Sequence, residues 1–159
     1  MVSQIMPFDL FIDLSVALTG FTRLDLLGTG VAQEYYDEVV GIVGEDICGY
    51  LWAASARAIE PEGRDSDELE KAIRETILSD PKLGPVARNI IKMWYLGSWE
   101  RLPETWRGTY GDNVKGEDHV VSGQAYKEGL VWVAMEAHPM GAKQPGYGTW
   151  SLPPGKDTP

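Results

Sequence analysis

The sequence predicts an all-α fold, an irregular bundle of about five to six helices closed by an extended Pro/Gly/aromatic C-terminal tail. Three observations carry that reading. Apolar residues recur at spacings of three and four through most of the chain. No stretch alternates polar and apolar residues long enough to demand a sheet, and only Val120 and Val121 have the character of a brief pairing. Helix breakers gather at the end, in HPMGAKQPGYGTWSLPP, His138 to Pro154.

From Asp9, Leu10, Phe11, Leu14, Leu18 and Phe21 lie along one helical face, and Gly20 supplies a terminator. A second helix is predicted from near Asp25, its stripe made of Leu27, Val31, Tyr35, Val39 and Ile42, weakened at Gly41 and Gly44. A further helical piece follows from Glu45 to Ile59, with Ile47, Leu51 and Ala54 inward. Glu60 to Glu68 is a loop leading to a capped start, where Asp65 or Ser66 accepts from first-turn amides and Asp67, Glu68 and Glu70 suit the positive end of the dipole. That helix carries Leu69, Ile73 and Ile77 and ends before Asp80 and Pro81. The next opens at Gly84-Pro85, where proline gives up no hydrogen bond, and carries Val86, Ile90 and Trp94, with Tyr95 and Trp99 about its end. RGTYGDNVKGEDH, Arg107 to His119, reads as a loop. The last helix runs from near Ser122 to Ala137 through Tyr126, Leu130 and Val133. Residues 1–159 form one helical domain, with 138–159 as an extended arm.

Length and charge narrow the function. A chain of 159 residues, 43% hydrophobic, suits one domain that buries roughly 70% of its unfolded surface. With 24 acidic against 14 basic side chains, the net charge of −10 argues against nucleic acid and anionic membrane as partners. No apolar run reaches the roughly 18 residues of a membrane span. The N-terminus shows neither a basic n-region nor an Ala-x-Ala site. The single cysteine, Cys48, excludes an internal disulfide and reads as a buried thiol.

No catalytic, cofactor-binding or metal-binding residue emerges. His119 and His138 lack partners at ligand spacing and read as a solvated loop residue and a helix cap. LGTG, Leu27 to Gly30, is too short for a phosphate loop, and no G-x-S-x-G is present. The adjacent carboxylates Asp37 with Glu38 and Glu45 with Asp46 point about 100° apart and read as solvated faces. What does stand out is aromatic surface: Trp94, Tyr95, Trp99 and Trp106 in MWYLGSWERLPETW, then Trp132, Tyr147 and Trp150. Rigid rings anchor one protein on another, so Trp94, Tyr95, Trp99, Tyr147 and Trp150 are the candidate partner-binding residues. The core competes for Trp94 and Trp132, which sit at helical spacing.

Four blocks, FIDLSVALTGFTRLD (Phe11 to Asp25), YYDEV, IIKMWYLGSW (Ile90 to Trp99) and AYKEGLVWV with the Pro-Gly-Tyr-x-x-Trp close, follow one another here. In that order they resemble the small subunits of membrane-associated, FAD-dependent sugar and polyol dehydrogenases, those of sorbitol, fructose, gluconate and glucose. The resemblance spans most of the chain and is weakest between Gly41 and Pro81. It implies a non-catalytic subunit that binds and stabilises a large flavoprotein of the glucose-methanol-choline type. FAD and sugar chemistry would lie in that partner, and a multihaem cytochrome often carries electrons onward. Such subunits support maturation and export and frequently bear a twin-arginine leader. None is visible here, so the expected location is the periplasm, within the complex, if a leader was removed, and the cytoplasm if the chain is full length. The tail would then be an arm laid over the partner. A transient folding chaperone or export escort, absent from the mature complex, is the alternative, and an enzyme acting alone has no visible site. Several relatives carry a cysteine in the tail where this chain has His138-Pro139-Met140, so cysteine-dependent features do not carry over.

Overall fold

A computed structural model describes residues 5–60, 65–137 and Pro139. Within them the chain is mostly helical, with one two-stranded ladder. α1 (Pro7–Thr19) is the central element, packing on α4 (Glu45–Ile59) and α6 (Gly84–Leu96), and touching α3 (Ala32–Val43). Pro7 opens α1, and Gly20 closes it in the left-handed region, its N–H donating to the Val16 carbonyl at 2.9 Å. Phe11, Ile12 and Leu14 are fully buried, while Leu10 and Leu18 lie half-buried on the flank.

The predicted second helix is two helices. α2 (Arg23–Gly28) begins with a capping box in which Thr22 and Asp25 satisfy each other's backbone amides. Gly30, at φ 75°, then turns the chain before α3 starts, so Leu27 leaves the stripe and only Val31, Tyr35 and Val39 reach the core. α4 spans the predicted residues and buries Cys48, Leu51, Trp52, Ala54, Ser55 and Ala58.

Asp65 caps α5 (Ser66–Ile73), accepting from the Glu68 amide at 2.8 Å. The helix widens into a π turn over Arg74–Leu78, which the Ser79 N–H closes on the Arg74 carbonyl at 3.0 Å. Ile73 and Ile77 stay buried through it.

The aromatic core fills the space between α1, α3, α4 and α6. Trp94 stacks on Phe11 with ring centroids 6.2 Å apart and meets Tyr35 edge-on at 4.9 Å, while Trp52 meets Phe11 at 5.9 Å and Tyr36 at 6.1 Å. Each such pair adds about 0.5–1.5 kcal/mol beyond area burial.

After α6 the chain turns at Gly97 and lays down β1 (Ser98–Trp99), antiparallel to β2 (His119–Val120), with Ser98 opposite Val120 and Trp99 opposite His119. Val121 continues the contact, its N–H donating to the Gly97 carbonyl at 2.9 Å, so the brief pairing at Val120 and Val121 forms. The segment expected to be loop from Arg107 to His119 is more ordered. α7 (Glu104–Tyr110) includes Arg107 to Tyr110 and seats Trp106, whose indole N–H donates to the Lys82 carbonyl at 2.8 Å. A 3₁₀ turn covers Val114–Gly116.

The last predicted helix is also divided, into α8 (Gly123–Lys127) and α9 (Leu130–Ala134). Gly129 makes the break and lies against Tyr95, where a side chain's Cβ would come within 2.8 Å of that carbonyl oxygen. Leu130 is buried, but Val133 is exposed.

Candidate docking surface

The structure separates the predicted anchoring residues. Trp94 and Trp99 belong to the chain's own core, at 1% and 0% exposure, and offer no area to a partner in this fold. Their helical and strand registers point them inward, and burial of so large a ring outweighs leaving its N–H without a hydrogen-bond partner. Tyr95 is different. It is half-buried, its hydroxyl donates to the Thr19 carbonyl at 3.2 Å, and its ring meets Phe21 edge-on at 6.1 Å. Tyr147 and Trp150 lie outside the described residues, as does the predicted cap His138.

Beside Phe21, α2 and α9 carry apolar side chains on the surface. Leu24 is 81% exposed and Val133 68%, with Leu27 and Met135 exposed as well. Between the two helices is a shallow hollow of about 210 Å³ bordered by Phe21, Asp25, Thr29, Leu130 and Val133. Sequence reasoning missed this surface because Leu27 fell in register with Val31 and Tyr35, and Val133 with Leu130. The available signal was local: a capping box at Thr22 and glycines at 28, 30 and 129 bracket helices too short to bury two faces. The Thr22 hydroxyl and backbone amide, hydrogen-bonding to Asp25, hold that carboxyl below its ordinary range, so the border of the hollow is anionic.

A larger groove of about 660 Å³ runs between α1 and α5 beside the π turn. Its floor is apolar, with Val16, Leu18, Leu69 and Ile73, and its rim charges are paired: Asp13 with Arg23, and Glu70 with Arg74.

Polar chemistry is tied up in structure. His119 is not a solvated loop residue, and Glu38 does not belong to a solvated acidic pair. The ring's Nε2 lies 2.5 Å from Glu38 Oε1 and its Nδ1 2.6 Å from the Glu117 carbonyl, because β2 is drawn against α3. Asp37, by contrast, is exposed and accepts from Gln33 at 2.9 Å, and Glu45 and Asp46 are exposed as read. The Ser122 hydroxyl donates to Glu34 at 3.0 Å, so neither it nor His119 is arranged as a nucleophile and base. Asp112 is held below its ordinary range chiefly by the Arg107 hydrogen bond. Cys48 is buried as expected, and burial, with the Glu45 charge, pushes its thiol up to about 12. Among the described residues no three His, Cys, Asp or Glu side chains are grouped to hold a metal, and no helix is long and apolar enough to cross a membrane.

Compared with known proteins, the chain matches no family model, no curated protein and no solved structure. The resemblance to the dehydrogenase small subunits therefore rests on the sequence blocks quoted above.

Proposed function

We propose that this chain is a non-catalytic small subunit that binds and stabilises the FAD-containing large subunit of a sugar or polyol dehydrogenase and supports its maturation or export. The observation that supports it is the exposed apolar side chains of α2 and α9, Leu24 and Leu27 on the first and Val133 on the second, on the two helices that border the hollow beside Phe21. Large apolar side chains grouped at one place on a surface mark a site of association. Tyr95 and Phe21 extend that surface toward α6. In this reading Tyr147 and Trp150 become buried in the complex and are more exposed in the isolated chain. Flavin and substrate are handled by the partner, and a multihaem cytochrome, where present, carries electrons onward.

The test is isolation of the tagged chain from its native host, recording co-purifying proteins and the visible spectrum. A stoichiometric large partner with flavin absorbance supports a stable subunit, and truncation before Gly141, or Leu24→Asp with Val133→Asp, should then release it. A partner seen only in transit, with micromolar rather than nanomolar affinity, a difference of about 4 kcal/mol, indicates the escort role. A colourless chain alone at its own mass, with no partner at any stage, overturns the proposal.

A further inference from the structure

His119 joins three parts of the molecule. Its backbone is in the β1/β2 ladder opposite Trp99, its Nδ1 faces the Glu117 carbonyl at 2.6 Å, and its Nε2 faces Glu38 of α3 at 2.5 Å. A backbone carbonyl only accepts, and so does an ionised carboxylate, so both ring nitrogens must carry hydrogen. The geometry is that of an imidazolium. A neutral ring has one N–H and leaves one of the two oxygens facing a lone pair.

The surrounding charge is consistent. Glu38 and Glu34 face this segment from α3, Glu117 and Asp118 flank the ring in the chain, and Arg101, from the connection after β1, is engaged by Asp112 and Glu117. Partial burial opposes the ring's charge. The Glu117 carbonyl and the hydrogen bond and charge of Glu38, with Asp118, outweigh it and hold the ring above its ordinary 6.5. Two other residues tie the same segment to α3: Asn113 Nδ2 donates to the Gly41 carbonyl at 3.2 Å and to the Ile42 carbonyl at 3.4 Å, and the Ser122 hydroxyl to Glu34. Neither depends on the histidine proton.

We propose that the His119–Glu38 pair is a pH-sensitive latch that pins residues 117–121 to α3 when protonated and, on losing its proton, loosens the short ladder carrying Trp99. The sign follows from linkage. A basic group whose pKa is raised in the folded state contributes stability fully present below its unfolded value of 6.5, and that stability is lost as pH rises through the folded value. Release therefore belongs to the alkaline side of 6.5 and is local, since Asn113 and Ser122 remain bound.

The experiment is a proton NMR titration of the full chain, with His138→Asn to assign the two histidines, and amide exchange read at Val121 and Gly97. His119 should titrate above 6.5, and Glu38→Gln should lower its pKa. The Val121 protection factor, corrected for intrinsic exchange, should fall as pH rises through the titration of His119. The Gly97 N–H, bonded within α6 to Met93, should stay protected. His119→Gln should show the low Val121 protection at every pH. Titration at or below 6.5, no response to Glu38→Gln, or Val121 protection indifferent to pH would each overturn the latch.

Discussion

The two halves of the molecule are held by different physics. In the first half the four helices α1, α3, α4 and α6 are of 12 to 15 residues, and they meet through interdigitated aromatic and aliphatic side chains, with Phe11, Trp52 and Trp94 at the centre. Among the described residues from Gly97 onward the elements are of two to seven residues, and beside the few side chains they send into that core, such as Trp99, Trp106 and Leu130, they are held by polar ties: the ladder, Arg101 amide to Asp118 at 2.6 Å, Asn113 and His119 to α3, and Trp132 Nε1 to the Tyr126 carbonyl at 2.9 Å. Burial is non-directional and tolerates small shifts, whereas these ties need particular atoms in place. The difference teaches that the first half supplies stability and the second supplies shape, including the exposed α9 and the pH-dependent contact at His119.

That contrast can be broken most directly at its centre. Trp94→Ala should cost about 3–5 kcal/mol, since the lost ring leaves a cavity that rigid neighbours fill only in part. Urea unfolding of the variant measures it, and a loss below about 1 kcal/mol would mean the aromatic core is not the stabilising unit. The junction comes next. Gly97 sits at φ 69°, and a Cβ there would come within 2.5 Å of the Ala125 carbonyl oxygen, so Gly97→Ala should cost about 2–4 kcal/mol through strain and displacement of α8. Chemical-shift changes should spread through residues 123–134 while the α1 and α4 signals hold still. If the disturbance instead reaches α4, the two halves are mechanically one.

Smaller effects sharpen the comparison. Asp65→Ala removes the cap from the Glu68 amide and should cost about 1 kcal/mol, read as a lower melting temperature. The thiol of Cys48, 1% exposed and pushed up to about 12, should stay inert to a thiol reagent at neutral pH until the core unfolds, so labelling should track global unfolding of the first half. Fast labelling under native conditions would show that α4 opens on its own.

The legible part of the sequence was the part governed by periodicity. Helix α4 over Glu45–Ile59, the Asp65 cap, the Gly84-Pro85 start of α6 and the closing Gly20 all stand where spacing and capping chemistry put them. Periodicity misled where two short elements happened to share a phase. Leu27 continues the stripe of Val31 and Tyr35 on paper, and Val133 that of Leu130, yet the turns at Gly30 and Gly129 rotate one piece away from the other. α7 was hidden for the opposite reason, since seven residues with three Gly, Thr or Arg positions in a row after Trp106 carry too weak a stripe to register. The candidate surface was half legible: Tyr95 remains near it, while Trp94 and Trp99, equally aromatic, turned inward.

By itself the sequence determined the helical class, the long amphipathic segments, the buried cysteine and the strong negative charge, because these follow from composition and from contacts a few residues apart. Tertiary structure alone decided which tryptophans are core, which leucines face outward, and that Glu38 and His119, 81 positions apart, share a proton-dependent contact. The physical reason is that a stripe states that a face is apolar without stating what covers it. Only the closure of α3, α6 and the β1/β2 ladder on one another assigns each face its neighbour.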